Sequence, residues 1–131
     1  MCLCKRCRGQ DKAQLFAQDV NRIYAYLRSK GLGMMIWDDM LNTTRSFACP
    51  DALNLIPRDI VLLNFVWYDR TDLDTEDILL RHGFPVVFGN FYSSHFPRFG
   101  QRAAKEGILG AEVSFWVGLP ELMISRSQKV R

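Results

Sequence analysis

Four short apolar runs limit what this chain can fold into. They are Met34–Trp37, Asp59–Tyr68 (DIVLLNFVWY), Phe84–Phe91 (FPVVFGNF) and Gly107–Val117 (GILGAEVSFWV). Each is too short for a surface helix and too continuously apolar for a strand with one wet face. Such runs read as strands buried on both faces, the kind found in parallel sheets. Their ends fall near residues 38, 68, 91 and 116, a repeat of roughly 25–30 residues, which is the length of a βα unit. A two-residue hairpin cannot join parallel strands, so the intervening segments must carry crossovers.

Those segments read accordingly. From Gln10 to Lys30, Leu15, Phe16, Val20, Ile23, Tyr24 and Leu27 recur at spacings of three and four, the period of an amphipathic helix. Gly31 and Gly33 close it, with Lys30 in its last turn. Residues 42–58 read as loop, punctuated by Asn42, Thr43, Thr44, Pro50, Asp51 and Pro57. A helix is expected from about Asp74 to His82, stopped by Gly83, and another from about Arg98 to Lys105. His82 then sits at a helix C-terminus, where its charge suits the dipole.

The fold class is therefore α/β, with parallel strands and covering helices. Two architectures fit: a small open sheet, or half of a (β/α)8 barrel, whose full length is typically about 250 residues. No GxGxxG or GxxxxGK[ST] occurs, so the phosphate loops of nucleotide-binding open sheets are absent. Each strand ends in polar or aromatic residues: Trp37-Asp38-Asp39, Trp67-Tyr68-Asp69, Asn90-Phe91-Tyr92 and Trp116. The C-terminal strand edge is where parallel α/β folds bind ligands. All three tryptophans lie at that edge, and an indole plane is a natural seat for the apolar face of a sugar ring. This favours the half barrel. The 131 residues form one partial-barrel domain: a Cys-rich start at 1–9, βα units over 10–120, and a polar tail at 121–131.

Composition narrows the function. The chain is 48% hydrophobic and 24% charged, enough apolar residue for a core. Its net charge is only +3 and its basic residues are scattered, unlike the basic stripe of a nucleic-acid binder. No apolar run approaches the roughly 20 residues of a membrane span. No apolar segment follows the charged MCLCKRC start, so no signal peptide is read and a reducing, cytoplasmic setting is expected. Cys2, Cys4, Cys7 and Cys49 are the cysteines. Thiolates at such spacing are candidate ligands for structural zinc, with Cys49 as the fourth; free thiols are the alternative, and no other cofactor is expected.

Among candidate site residues, Asp38 and Asp39 point to opposite faces if the strand continues through them. One of them touches substrate, or the pair anchors a loop. His95 follows Tyr92 beyond a strand end, and Glu112 lies inside the last strand, where a carboxylate needs a partner or a polar layer.

The runs MIWDDM, VWY, GNFY and GILGAEVSFW together resemble the last four strands of the catalytic barrel of family 20 glycoside hydrolases, the β-N-acetylhexosaminidases, over about Cys2 to Pro120. The resemblance implies that Trp37, Trp67 and Trp116 wall a sugar pocket and that Tyr92 hydrogen-bonds the substrate acetamido group. It implies a substrate-assisted retaining mechanism, outside the usual two-carboxylate scheme. The family's adjacent Asp-Glu pair follows the fourth strand, before the region matched here, and no catalytic residue is assigned in this chain. Ser94 stands where the family usually has an Asp, and Gly118 where it has a Glu. The expectation is a glycosidase-like fragment carrying strands five to eight. It binds, and in the complete barrel hydrolyses, an N-acetylhexosamine-type glycoside. The alternative is a non-catalytic carbohydrate-binding or half-barrel assembly module. Either leaves sheet edges open, so self-association or an N-terminal half-barrel is the expected protein partner.

Overall fold

The computed structural model describes residues 4–5, 7–42, 48–65, 73–89 and 97–113. Its elements run α1 (Lys12–Ser29), β1 (Met35–Trp37), a 3-10 helix (Pro50–Asn54), β2 (Val61–Phe65), α2 (Glu76–Arg81), β3 (Val86–Gly89), α3 (Phe99–Ala103) and β4 (Ile108–Ala111). The four strands form one sheet in the order β1-β2-β3-β4, every neighbouring pair parallel. The α/β class read from the spacing is thus the observed one.

Local chemistry sets the boundaries. Asp11 caps α1, its Oδ1 accepting from the Gln14 N–H at 2.8 Å, which satisfies one of the helix's orphan donors. At the other end Gly31 takes φ +72°. There the Gly31 N–H donates to Arg28 O and the Leu32 N–H to Leu27 O, both at 3.0 Å, the paired closure of a Schellman motif. Ala13, Ala17 and Val20 form the buried stripe of α1. Its outer flank is tied down by Tyr24, whose hydroxyl donates to Asp59 at 2.8 Å, and by Asn21, which donates to Leu55 O at 2.9 Å.

Two readings are refined. Within the segment 42–58, read as mostly loop, Pro50 starts a 3-10 helix over Pro50–Asn54 whose Ala52 and Leu53 are buried in the core beside α1. Pro at the first helical position loses an N–H that would be unpaired anyway, so the residue read as punctuation is a start signal. Among the described residues the last strand ends at Ala111. Glu112 follows β4 instead of lying within it, and its backbone N–H donates to Phe88 O at 2.8 Å. Between Val86 and Val87 the register to β4 shifts by one residue, which places Gly110 opposite Val87.

All described helices lie on one face of this sheet. Leu62 and Val86, in register on β2 and β3, share one core with Ala13, Ala17 and Val20 of α1, Leu53 of the 3-10 helix and Leu79 of α2. Phe88, on the same face two residues beyond Val86, meets α3, with Phe99 at 6.0 Å between ring centroids and the Arg102 guanidinium 5.4 Å from its ring. Each fully buried aliphatic side chain here contributes about 1.5–3 kcal/mol. The opposite face carries Met35, Trp37, Leu63, Phe65 and Val87. Met35 is 53% exposed, the other four are half-buried, and no described helix covers them.

The helices are held at the sheet's C-terminal end by charge. Arg102 and Glu76 are both fully buried. Arg102 Nε donates to Glu76 Oε1 at 2.8 Å and Nη2 to Oε2 at 2.6 Å, a bidentate fork. Arg102 Nη2 also donates to Leu73 O at 3.2 Å. Lys105 Nζ reaches Glu76 at 2.8 Å, Asp77 at 2.6 Å and Asp74 at 3.1 Å. Arg98, at φ +56° before α3, pairs with Asp74. Burial works against the Lys105 charge, but the carboxylates of Asp77, Glu76 and Asp74 outweigh it and hold its pKa well above the ordinary amine range. Desolvation alone would raise the Asp74 carboxyl; hydrogen bonds from Arg98 and Lys105 reverse that and leave it below the usual range.

Removing one partner of a buried pair strands the other charge, at a cost of roughly 3–5 kcal/mol, whereas replacing both with apolar residues is often near neutral. Arg102→Met is therefore expected to lower unfolding free energy in urea by about 3–5 kcal/mol, and Arg102→Met/Glu76→Leu to recover most of it. A double variant no more stable than the single would show that the pair is not the clamp.

Candidate functional site

The C-terminal edge of the sheet gathers Trp37, Asp38 and Asp39 from the end of β1, Asn64 and Phe65 from β2, Gly89 from β3, and Glu112 beyond β4. Trp37 and Asp38 are consecutive and part to opposite faces, as alternation requires.

Asp38 goes to the helix side and has no solvent-exposed surface. Its Oδ1 accepts from the Phe65 N–H at 2.7 Å, and its Oδ2 from Asn64 Nδ2 at 2.7 Å and Asn42 Nδ2 at 3.4 Å. The Asp38 carbonyl closes the turn that follows, taking the Leu41 and Asn42 N–H groups at 2.7 and 2.8 Å. Asn64 passes the network on to Thr75, with Nδ2 donating to the hydroxyl at 3.0 Å. Thr75 directly precedes α2 and Glu76. A buried polar chain thus runs Asp38, Asn64, Thr75, and the charge clamp begins at the next residue. Burial pushes the Asp38 carboxyl up to about 6 against the hydrogen bonds from Phe65, Asn64 and Asn42 that favour its ionised form; Asp39 adds a small repulsion. Of the two readings of the acid pair, this geometry is the anchoring one for Asp38. Asp39 is half-buried beside it.

Trp37 goes to the open face. Its ring meets Phe65 edge-on, with centroids 5.1 Å apart and planes at 86°, an arrangement aromatic quadrupoles favour. The indole reaches across β2 to the backbone of Gly89. A Cβ at Gly89 would collide with Trp37 Cζ3, and would stand 3.1 Å from Cη2 and 3.2 Å from the Asn64 carbonyl. Gly89 is thus required by a close approach to its backbone.

The remaining expected residues are distributed as follows. Trp67, Tyr92, His95 and Trp116 lie outside the described residues, as does Cys2. Glu112 is half-buried next to the edge. Cys49 is buried, its thiol donating to Met40 O at 3.4 Å and pushed up by that burial. Cys4, Cys7 and Cys49 do not converge; among the described residues, the three-ligand grouping is Asp74, Glu76 and Asp77. Those carboxylates already face Arg98, Arg102 and Lys105, so their charge is matched by three cations and nothing in them calls for a metal.

Asn64, Thr75, Gly89 and the Glu76–Arg102 pair escaped the sequence reading. A signal existed for the last: Arg98, Arg102 and Lys105 stand at i, i+4 and i+7, one stripe of a helix. An Asn inside the run VLLNFVW and a Gly inside PVVFGNF also broke their patterns. No family model matches the chain, and no curated protein matches it. Among the described residues no helix is long and apolar enough to cross a membrane.

Two outcomes follow. The folded Asp38 carboxyl titrates at about 6, above its ordinary 3.8, so the folded state holds this proton more tightly. The stability this proton confers is present in full below about pH 4 and is lost as pH rises through about 6. About 2 pKa units amount to at most about 3 kcal/mol. Asp38→Asn needs flips of the Asn64 and Asn42 amides, which both donate to Asp38 Oδ2; the Thr75 hydroxyl, able to donate and accept, allows the first. The difference in unfolding free energy between wild type and D38N should therefore drift by up to about 3 kcal/mol against wild type from pH 4 to 7; a pH-independent difference would refute the buried-acid account. Gly89→Ala should cost about 1–3 kcal/mol through overpacking and alter the near-UV circular dichroism of Trp37. Adding Trp37→Leu should restore much of the lost stability, which thermal melts would read.

Proposed function

We propose that this chain forms strands five to eight of a carbohydrate-binding (β/α)8 barrel. It takes an N-acetylhexosamine-type glycoside at the C-terminal strand edge, with Trp37 as one wall of the pocket. Hydrolysis belongs to the complete barrel. The observation that carries this is the placement of Trp37: its indole sits at that edge, on the sheet face away from the helices, seated in the space left by Gly89. Consecutive parallel strands with every described helix on one side support the barrel reading, because a closed barrel needs its helices outside and its other face inside. In a doubly wound sheet the strand order reverses and helices cover both faces; the order here is sequential.

The resemblance to β-N-acetylhexosaminidases supplies the sugar class. It assigns further walls to Trp67 and Trp116 and an acetamido contact to Tyr92. His95, Asp39 and Glu112 are the polar groups available to sugar hydroxyls at or beyond the strand ends. Asp38 acts from behind, fixing the strand end that carries Trp37. The acid pair of the resemblance has no counterpart in this sequence, which contains no Asp-Glu dipeptide, so the chain binds without cleaving.

The half-barrel assembly reading has its own support in the apolar, half-buried face of Trp37, Leu63, Phe65 and Val87. One titration separates the two. N-acetylglucosamine added to millimolar concentration should change tryptophan fluorescence saturably, and Trp37→Ala should weaken binding by roughly tenfold, or about 1.4 kcal/mol. Chromogenic N-acetylglucosaminide should show no turnover. Absence of any spectral change at millimolar sugar would leave assembly as the function, and vigorous turnover would refute binding without cleavage.

A further inference from the structure

The Cys-rich start offers a second chemistry that the sugar reading does not use. Cys4 and Cys7 bracket Lys5 and Arg6 in a C-x2-C pattern, and Arg8 follows. The two cysteines are linked through the backbone: the N–H groups of Cys7 and Arg8 both donate to Cys4 O at 3.1 Å. A turn closed by such i to i+3 and i to i+4 bonds brings residues i and i+3 to one side, with Cβ atoms about 5–6 Å apart. A disulfide needs roughly 3.5–4.5 Å, a gap a small adjustment of one turn closes. Gln10 N–H donates to Cys7 O at 3.2 Å, Gly9 takes φ +79°, and Asp11 then caps α1. The dithiol turn is therefore fastened to the start of the longest helix. Cys4 is exposed, Cys7 half-buried and Cys49 buried.

We propose that Cys4 and Cys7 form a redox-active dithiol that exchanges with small organic disulfides. Thiolates are the attacking species in such exchange, and neighbouring cations favour them; Lys5, Arg6 and Arg8 supply three within this stretch. They also attract an anionic disulfide such as oxidised glutathione. One thiolate attacks a sulfur of RSSR, forming a protein–SR mixed disulfide and releasing RS⁻. The second thiolate then attacks the protein sulfur of that mixed disulfide, forming the Cys4–Cys7 bond and releasing the second RS⁻. The two protons from the protein thiols end on the two RS⁻ as 2 RSH. The protein gives up two electrons and RSSR takes them. C-x-x-C beside a βα framework is the spacing that suits this chemistry, and an exposed first cysteine gives the disulfide access.

The test equilibrates the full chain in glutathione buffers of increasing oxidised fraction, blocks remaining thiols with N-ethylmaleimide and maps the peptides by mass spectrometry. The expected product is a Cys4–Cys7 disulfide, two hydrogens lighter than the dithiol and reversed by excess reduced glutathione. Cys7→Ser should instead accumulate glutathione on Cys4, and Cys2→Ser should leave the disulfide unchanged. The proposal is overturned if Cys4 and Cys7 both stay alkylatable in fully oxidised buffer. Mapping of the bond to Cys2, or stoichiometric zinc in the purified protein that shields the thiols, also overturns it.

Discussion

The helix layer depends on one buried ion pair, Glu76 with Arg102. Its members sit on helices of six and five residues, far below the length at which a helix holds itself in water. Packing supplies some of what is missing, through Leu79 on α2 and Phe99 against Phe88. The directional part comes from the bidentate fork, which fixes both the distance and the rotation between α2 and α3. Burial makes the pair demanding: either charge alone would be stranded in the core. Lys105, Asp74, Asp77 and Arg98 enclose it, and the six side chains sum to no net charge. A cluster balanced in this way favours one docking of the two helices over any sliding alternative.

From that clamp the constraint passes to the strand edge through adjacent residues. Glu76 follows Thr75, Thr75 bonds Asn64, and Asn64 bonds Asp38. Each link crosses from one element to the next, so the ends of β1 and β2 and the start of α2 are fixed together. The direction of Asp38 then fixes Trp37, because neighbours on an extended chain face opposite ways. An indole without support would sample several rotamers. Here it is bounded by Phe65 on one side and by Gly89 beneath. The polar network on the helix side and the aromatic contact on the open side are two faces of one dipeptide.

Spacing carried the fold because it depends on chain geometry alone. Apolar runs recurring at βα distance leave few options, and Gly31 with a clean apolar stripe bounds α1. What escaped was everything defined by contact across elements. Asn64 reads as an impurity in an apolar strand until Asp38 stands 2.7 Å from it. Gly89 reads as a strand breaker until Trp37 lies on it. Pro50 reads as a loop marker because proline both ends helices and begins them, and only burial of Ala52 and Leu53 separates the two. For the Asp38-Asp39 pair the sequence leaves two readings, contact with substrate and anchoring of a loop. Nothing in a sequence shows which of the two acids will be desolvated.

The desolvated acid also bears on how the edge of this parallel sheet is built. A carboxylate at a strand end has two uses, reaching a ligand or receiving the backbone N–H of the next strand. Asp38 does the second: its Oδ1 takes the Phe65 N–H, a donor at the last position of β2. The carboxylate thereby extends the ladder by one bond past the point where β1 stops. That ties down the strand end where Trp37 projects, on the side of the sheet opposite the polar network. In this arrangement the acid serves the aromatic residue: it holds the strand end from which the indole projects.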